Sequence, residues 1–284
     1  MWIATTVKEL RKRRSGLKGN VVLVPTLGAL HNGHISLIEK GQAMAPNVIV
    51  SIFVNPTQFG PGEDYEQYPR PTEADLAACR RCGIAGVFQP LADQMYPPQI
   101  SDCQITVPSL ASILEGKIRP QHFEGVCRIV LKLFNMVQPD LACFGRKDFQ
   151  QLRIVQTLAA ALNLRTEIVE CETVRDEQGL ALSSRNVHLN ATQYRRALGL
   201  FESLNQARVL VEKTGQTNPC VVEASMRQTM AARQIQVDYA VVRHPRTLME
   251  LDRIEPKRTD GVVALVAGHV DGLRLIDSMV LGKV

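Results

Sequence analysis

No stretch of this 284-residue sequence is apolar for the length of a membrane span, so a membrane-embedded role is not expected. The opening MWIATTVKELRKRR has no signal-peptide apolar core, and the expected location is the cytoplasm. Internal repeats and low-complexity tracts are absent, which argues against solenoid arrays and disordered linkers. The seven cysteines are an odd number, and Cys79 and Cys82 have no second pair beside them. That pattern argues against a disulfide framework and for free thiols in a reducing compartment. Charge of one sign is not in great excess either. The formal net charge is +5, much of it in Arg11, Lys12, Arg13 and Arg14, and a nucleic-acid partner is not expected. What remains is an ordinary composition, 45% hydrophobic and 21% charged, long enough for one large α/β domain and a smaller companion.

The stretch Val21–His34, VVLVPTLGALHNGH, is the one around which the chain is organised. Val21, Val22, Leu23 and Val24 make the short apolar run of a strand buried on both faces, and Pro25 is expected to end its ladder. Gly28 and Gly33 bracket a tight turn, after which His34 to Ala45 repeats apolar residues at helical spacing. His31 and His34 therefore stand at a helix start, where unpaired backbone N–H groups and partial positive charge suit a phosphate. The same dipole disfavours imidazolium, so both rings are expected neutral, each offering one N–H donor. Gly33 leaves room for a base or ribose against the backbone. Two polar surface residues, or a metal pair, are the other readings; no third metal ligand follows in register.

Taken in order, Thr6 and Glu9 fit a capping box for a short first helix that turns Val7 and Leu10 inward and ends on the basic run. Asn47–Val54 reads as a second buried strand ending at Asn55-Pro56, which completes a βαβ unit. The irregular NPTQFGPGEDYEQYPR lies where open parallel sheets bind ligands, and the Gln58 amide can grip a hydroxyl and a carboxylate together. Asp75–Cys82 reads as a helix and Gly86–Phe88 as a strand. Lys117, Arg119 and His122 crowd a loop ahead of a helix over Gly125–Val137, which suits an anion or plain surface charge. Leu141–Phe144 then delivers Gly145, Arg146, Lys147 and Asp148 to a helix over Phe149–Leu162. Lys147 is a compact charge fit for a phosphate, Asp148 a partner for it or a cap, and Gln150 and Gln151 are expected to face one crevice. After a strand over Thr166–Cys171, Ser183, Ser184 and Arg185 offer donors in a row to a polyphosphate, or cap the helix beyond.

The character then changes. Helices over Thr192–Lys213 and Pro219–Arg233 precede strands at Val237–Val242, Val262–Ala267 and Leu273–Val280, with no crossover helices between the strands. The expected fold is α/β: a parallel-sheet domain over residues 1–175 and a smaller α+β domain with an antiparallel sheet over residues 176–284.

PTLGALHNGH, SIFVNPTQFG, EDYEQYPR, RPQHFEGV, FGRKDFQQL and LALSSRN, in this order and spacing, resemble the pantothenate synthetase (pantoate:β-alanine ligase) family, among the HIGH-motif nucleotidylyltransferases. The resemblance runs from about Val21 to Asn186, with a weaker echo at VDYAVV and LRLID. It implies a Rossmann-like first domain, a C-terminal domain covering the active site, and a homodimer formed through the first domain. It implies a two-step reaction in which (R)-pantoate and ATP give pantoyl adenylate and pyrophosphate, after which β-alanine displaces AMP. ATP is implied at Leu27, Gly28, Ala29, Leu30, His31, Asn32, Gly33 and His34, with His34 as proton donor or leaving-group stabiliser and His31 beside it. Lys147, Ser183, Ser184 and Arg185 resemble the remaining phosphate clamp, Lys147 and Arg185 acting in catalysis, with Gly145, Arg146, Asp148, Val174 and Leu182 around the nucleotide. Gln58 is implied to hold pantoate and meet β-alanine, and Gln151 to hold pantoate. Mg²⁺ is expected as the ATP counter-ion, with Asp75 as its ligand.

Three positions depart from the family pattern. Leu27 stands for the usual Met, Asn32 for a usual Glu, and Arg146 for the Glu of a GEKD motif, which reverses a charge beside Lys147. Another nucleotidylyltransferase would share the H-x-G-H element without the Gln58 and Gln151 pair. A tRNA-charging enzyme would need a larger, more basic C-terminal region. A regulator that has lost catalysis would have no need of His31, His34, Lys147, Ser184 and Arg185 together.

Overall fold

The computed structural model describes residues 1–100, 103–255 and 260–282. Two compact units emerge: Met1–Gly145 with Gln151–Cys171, and Arg146–Gln150 with Glu172–Val284. The expected boundary after residue 175 lies four residues past Cys171, and Arg146–Gln150 groups with the second unit although both its flanks belong to the first.

The first unit opens with β1 (Trp2–Ala4) and α1 (Val7–Ser15). The capping box forms as the sequence dictates: the Thr6 hydroxyl accepts from Glu9 N at 3.2 Å while the Glu9 carboxylate accepts from Thr6 N at 3.3 Å. Next come β2 (Val21–Thr26), α2 (Asn32–Gln42), β3 (Asn47–Ile52), α3 (Thr72–Arg81) and β4 (Gly86–Phe88). Three single turns, α4 (Ala92–Met95), α5 (Pro108–Ala111) and α6 (Glu115–Ile118), lead to α7 (His122–Val137), β5 (Leu141–Gly145), α8 (Phe149–Ala161) and β6 (Glu167–Cys171). The basic end of α1 is put to use, since Arg14 donates to Val137 O at 2.9 Å and Gln138 O at 3.0 Å and so caps α7.

Every pairing in this sheet is parallel, in the order β1-β4-β3-β2-β5-β6. Strand order reverses between β2 and β5, so the carboxyl ends of these strands flank the switch point at which open α/β sheets bind ligands. Val21, Val22, Leu23 and Val24 are completely buried, the condition under which a strand reads as a continuous apolar run. Pro25 does not end the ladder on both sides. β2 pairs with β3 through Pro25↔Ser51 and Thr26↔Ile52, whereas pairing with β5 stops at Leu23↔Ala142. Val21 exchanges hydrogen bonds with Asp140 just ahead of β5, so alternation directs Leu23 and Pro25 that way too. The proline's missing N–H thus interrupts only the β5 side.

The second unit holds an antiparallel sheet, β7 (Gln236–Arg243), β8 (Val262–Val270) and β9 (Leu273–Leu281), in that order. From α9 (Ala191–Arg208) and α10 (Pro219–Ala232), Leu200, Leu204, Met226 and Met230 share one core with Ala240, Val242, Ala264 and Val266 of the sheet. The helix expected to reach Lys213 stops at Arg208 and continues as a wider π turn over Val209–Lys213. No helix among the described residues is long and apolar enough to cross a membrane.

Candidate active site

After β2 the chain bends sharply before α2 begins. Gly28 takes φ +88° and Ala29 φ +50°. A Cβ on Gly28 would stand 3.0 Å from Asp75 Oδ2 and 3.2 Å from Ile52 Cγ2, so both conformation and space call for glycine. The left-handed alanine is held from α3: the Asp75 carboxylate, 2% exposed, accepts from Ala29 N at 2.9 Å through Oδ2 and from Leu30 N at 2.7 Å through Oδ1. Burial raises the Asp75 pKa above its ordinary value, with the Leu30 and Ala29 bonds pulling the other way. With both oxygens so engaged, Asp75 braces the turn, and this geometry lends no support to the magnesium role expected for it. Among the described residues no group of three His, Cys, Asp or Glu side chains is placed to hold a metal ion.

The two histidines interlock across the start of α2. His31 Nδ1 accepts from Gly33 N at 3.1 Å and His34 Nδ1 accepts from His31 N at 3.3 Å, a capping box with imidazoles in both roles. Their ring centroids are 4.1 Å apart. A neutral imidazole whose Nδ1 accepts carries its proton on Nε2, so capping leaves each ring with an Nε2–H donor. Leu27, Gly28, Ala29 and Leu30 form the approach to this cap. Asn32 and Gly33 are the first two residues of α2, and Asn32, where the family pattern has Glu, is exposed.

Gln58 is positioned by residues that the motif does not advertise. Asn55, wholly buried, caps a single 3₁₀ turn over Pro56–Gln58. Its Nδ2 donates to Gln58 Oε1 at 3.2 Å and to Gly125 O at 3.1 Å, while its Oδ1 accepts from the Tyr96 hydroxyl at 2.8 Å. A Cβ on Gly125 would fall 2.2 Å from Thr57 O, so only glycine lets α7 come this close to the turn. These bonds orient the Gln58 amide, directing Oε1 toward Asn55 and making Nε2 the donating end for a carboxylate or hydroxyl oxygen. An Asn just before Pro at a strand end is a turn-capping signal that marks Asn55 in sequence; its bond to Gly125, 70 positions on, is not legible there.

Within the cluster of Lys117, Arg119 and His122, the Arg119 charge is already paired. Arg119 binds Glu63 through Nε at 2.9 Å and Nη2 at 2.5 Å, which neutralises it. Burial opposes ionisation of Glu63, but the Arg119 bonds and charge outweigh it and hold the carboxyl below its ordinary pKa. His122 Nε2 meets Arg119 Nη1 at 3.3 Å; a guanidinium only donates, so Nε2 accepts and Nδ1–H donates to Gln58 O at 2.8 Å. Burial, then the Arg119 charge, pushes the His122 pKa down to about 4. Between about 4 and the ordinary 6.5 the unfolded chain therefore binds the extra proton, and stability falls as pH drops through that window. Urea unfolding at pH 7 and pH 5 is expected to show this loss in the parent and a smaller one in His122→Gln; equal losses would assign it to other groups.

Gln150 and Gln151, expected to face one crevice, differ in burial. Adjacent residues on a helix point about 100° apart, and here Gln150 is buried at 4% exposure while Gln151 is half-buried. Gly145 ends β5 opposite Cys171 of β6.

In the second unit Arg146–Asp148 forms a 3₁₀ turn, and Lys147 Nζ lies 3.4 Å from Asp148 Oδ1, the partner the sequence suggested. Arg146 turns its side chain to an ion pair with Glu172, and its carbonyl accepts from Ser278 Oγ at 2.7 Å. The reversed charge is thus answered by a carboxylate of the same chain. Leu182 N donates to Val174 O at 3.0 Å, which closes a hairpin leading into Ser183. Ser183 Oγ accepts from Arg185 N at 3.3 Å and caps the 3₁₀ turn Ser184–His188, whereas the helix beyond, α9, is capped by Asn190, so these residues do not cap that helix as the alternative reading had it.

The pantoate-β-alanine ligase family model matches residues 2–280. A pantothenate synthetase of Chloroflexus aurantiacus is 45% identical over 282 residues, which cover 99% of this chain and 98% of that protein. The crystal structure of pantothenate synthetase from Thermus thermophilus superposes with a TM-score of 0.91 at 38% identity, covering 98% of this chain and 99% of that one. A pantoate-β-alanine ligase from Francisella tularensis, solved in complex with beta-gamma ATP and β-alanine, gives a TM-score of 0.80 at 32% identity over 99% of this chain and 97% of its own. The likeness extends well beyond the H-x-G-H element shared by other nucleotidylyltransferases, through the Gln58 turn and both units, and on this ground the chain belongs to the pantoate-β-alanine ligase family, the pantothenate synthetases.

Proposed function

We propose that this ligase joins (R)-pantoate to β-alanine through a pantoyl adenylate. A pantoate carboxylate oxygen attacks the α-phosphorus of ATP, and the bond to the bridging oxygen breaks so that pyrophosphate leaves with its electron pair. The β-alanine amine then attacks the acyl carbon, AMP leaves, and the amine nitrogen loses a proton to give the amide. No covalent intermediate with the protein is needed. Displacement at phosphorus asks the protein chiefly for positioning and for groups aimed at developing charge.

The observation that carries this reading is the cap at the start of α2, in which His31 and His34 both accept through Nδ1, so that a neutral ring of either carries its N–H on Nε2. Donors locked before the substrate arrives need no reorganisation as charge develops, which is where such groups contribute most. In this reading His34 stabilises or protonates the leaving pyrophosphate and His31 assists it. The Leu27–His34 segment follows the nucleotide, and Lys147, Ser183, Ser184 and Arg185 bind its phosphates, with Gly145, Arg146, Asp148, Val174 and Leu182 lining the rest. Gln58, through Nε2, holds pantoate and meets β-alanine; Gln151 holds pantoate. Magnesium would enter as part of MgATP, with phosphates and waters supplying its ligands, while Asp75 braces the turn. A homodimer and a cytoplasmic location complete the reading, which draws support for its substrates from the ATP and β-alanine bound by the Francisella relative.

The test is AMP formation from MgATP with pantoate and β-alanine supplied singly and together. AMP release that needs both, with labelled pyrophosphate exchanging into ATP on pantoate alone, is the expected result. Exchange that needs β-alanine would overturn the adenylate. Arg146→Glu is expected to change the KM for ATP by less than about fivefold, because the Arg146 ion pair with the 80%-exposed Glu172 side chain is of the weak surface kind. A large rise in kcat for this variant would show instead that Arg146 impairs the parent enzyme.

A further inference from the structure

The C-terminal LRLID echo belongs to β9, and the reaction as described makes no use of it. Positions 273, 275, 277, 279 and 281 share one face of that strand. Leu273, Leu275, Met279 and Leu281 all join the core of the second unit, and Asp277 is the single charged residue among them. Asp277 is 3% exposed. A carboxylate in that setting is costly unless it is paired and hydrogen-bonded.

Its partner is Arg175, which binds it in a two-pronged pair, Nη1 to Oδ2 at 2.6 Å and Nη2 to Oδ1 at 3.0 Å. The same guanidinium donates to Gly179 O at 3.0 Å and stacks 4.7 Å from the Phe201 ring centre. Arg175 is also bridged through its backbone to Ala181, across the hairpin that delivers Ser183, Ser184 and Arg185. Ser278, on the opposite face of β9, donates its hydroxyl to Arg146 O at 2.7 Å, which fixes the turn bearing Lys147. The Ser278 N–H donates to Asp277 Oδ1 at 2.7 Å, tying the two anchors together.

We infer that Asp277 and Ser278 are positioning residues: one dipeptide of β9 sets the spacing between Lys147 and the Ser183–Arg185 arm. The inference rests on the reading of those residues as phosphate ligands. Two short cationic segments, distant in sequence, must present their donors at a fixed separation to grip one polyphosphate. Tying both to neighbouring residues of one strand is a direct means to that end. All of these bonds lie within the second unit, which accounts for Arg146–Gln150 grouping with it.

The experiment is a mutant cycle on pantoate-dependent pyrophosphate exchange with full-length enzyme. Ser278→Ala removes one hydroxyl and is expected to lower kcat/KM for ATP about three- to tenfold while leaving the KM for pantoate unchanged. Ser278→Thr, which keeps the O–H and suits a strand, is expected to restore it. Made on top of Lys147→Ala, Ser278→Ala is expected to add nothing further, since its effect passes through Lys147. Asp277→Asn is expected to lose more than Ser278→Ala because Arg175 keeps a partly buried charge without its counter-charge; should it fail to fold, the Ser278 arm decides alone. Unchanged ATP kinetics in a folded Ser278→Ala would overturn the inference. So would a lowered Tm with no kinetic change, or a full additive loss in the Lys147→Ala background. If Lys147→Ala and Arg185→Ala themselves leave ATP kinetics unchanged, the phosphate-ligand reading fails first, and the inference built on it falls with it.

Discussion

Lys147→Ala is expected to lower kcat for pantoate-dependent adenylate formation about 10²- to 10³-fold, the loss typical when one preorganised charge-stabilising group is removed. Lys147 stands in the 3₁₀ turn after β5 with its ammonium 3.4 Å from Asp148 and its side chain 20% exposed. An ion pair of that length contributes little to folding, so stability is expected to stay near that of the parent. Lys147→Arg is expected to recover only part of the rate, because a planar fork cannot occupy the place of a compact point charge without moving the phosphates. Single-turnover measurement of AMP-forming chemistry beside a urea melt separates the two effects. A kcat within threefold of the parent would remove Lys147 from the chemistry.

Asp75→Ala is expected to cost folding stability and activity together. Two partly buried backbone N–H groups, those of Ala29 and Leu30, would lose their acceptor, at up to about 1 kcal/mol each, in a protein whose total stability is of order 5–15 kcal/mol. The left-handed Ala29 would also lose the bonds that hold it, and the following residues carry His31 and His34. Asp75→Asn keeps one acceptor and is expected to show a smaller loss of both kinds. Raising magnesium is expected to rescue neither variant, because what each loses is an acceptor for the Ala29 and Leu30 N–H groups. Recovery of Asp75→Asn activity at high magnesium, with stability unchanged throughout, would restore the metal-ligand role and sink this one.

Much of the fold follows from short-range chemistry. The Thr6 and Glu9 cap, the buried valine run of β2, the βαβ succession and the change to an antiparallel sheet near the C-terminus are all written in neighbouring residues. Propensity, period and capping act over a few positions, and such signals survive in the sequence alone. The site is legible in the same way where it is local: His31 and His34 interlock because a cap joins residues three apart.

Tertiary structure alone decided what those residues rest upon. Asp75 braces the Gly28–Leu30 turn from 46 positions away, His122 reaches the Gln58 carbonyl across 64, and Ser278 reaches the Arg146 carbonyl across 132. Whether Arg119 is a free cation or half of an ion pair depended on where Glu63 came to lie. The difference is physical. A local motif states which donors and charges a segment carries, but the satisfaction of a buried polar group depends on whichever distant segment the folded chain packs against it.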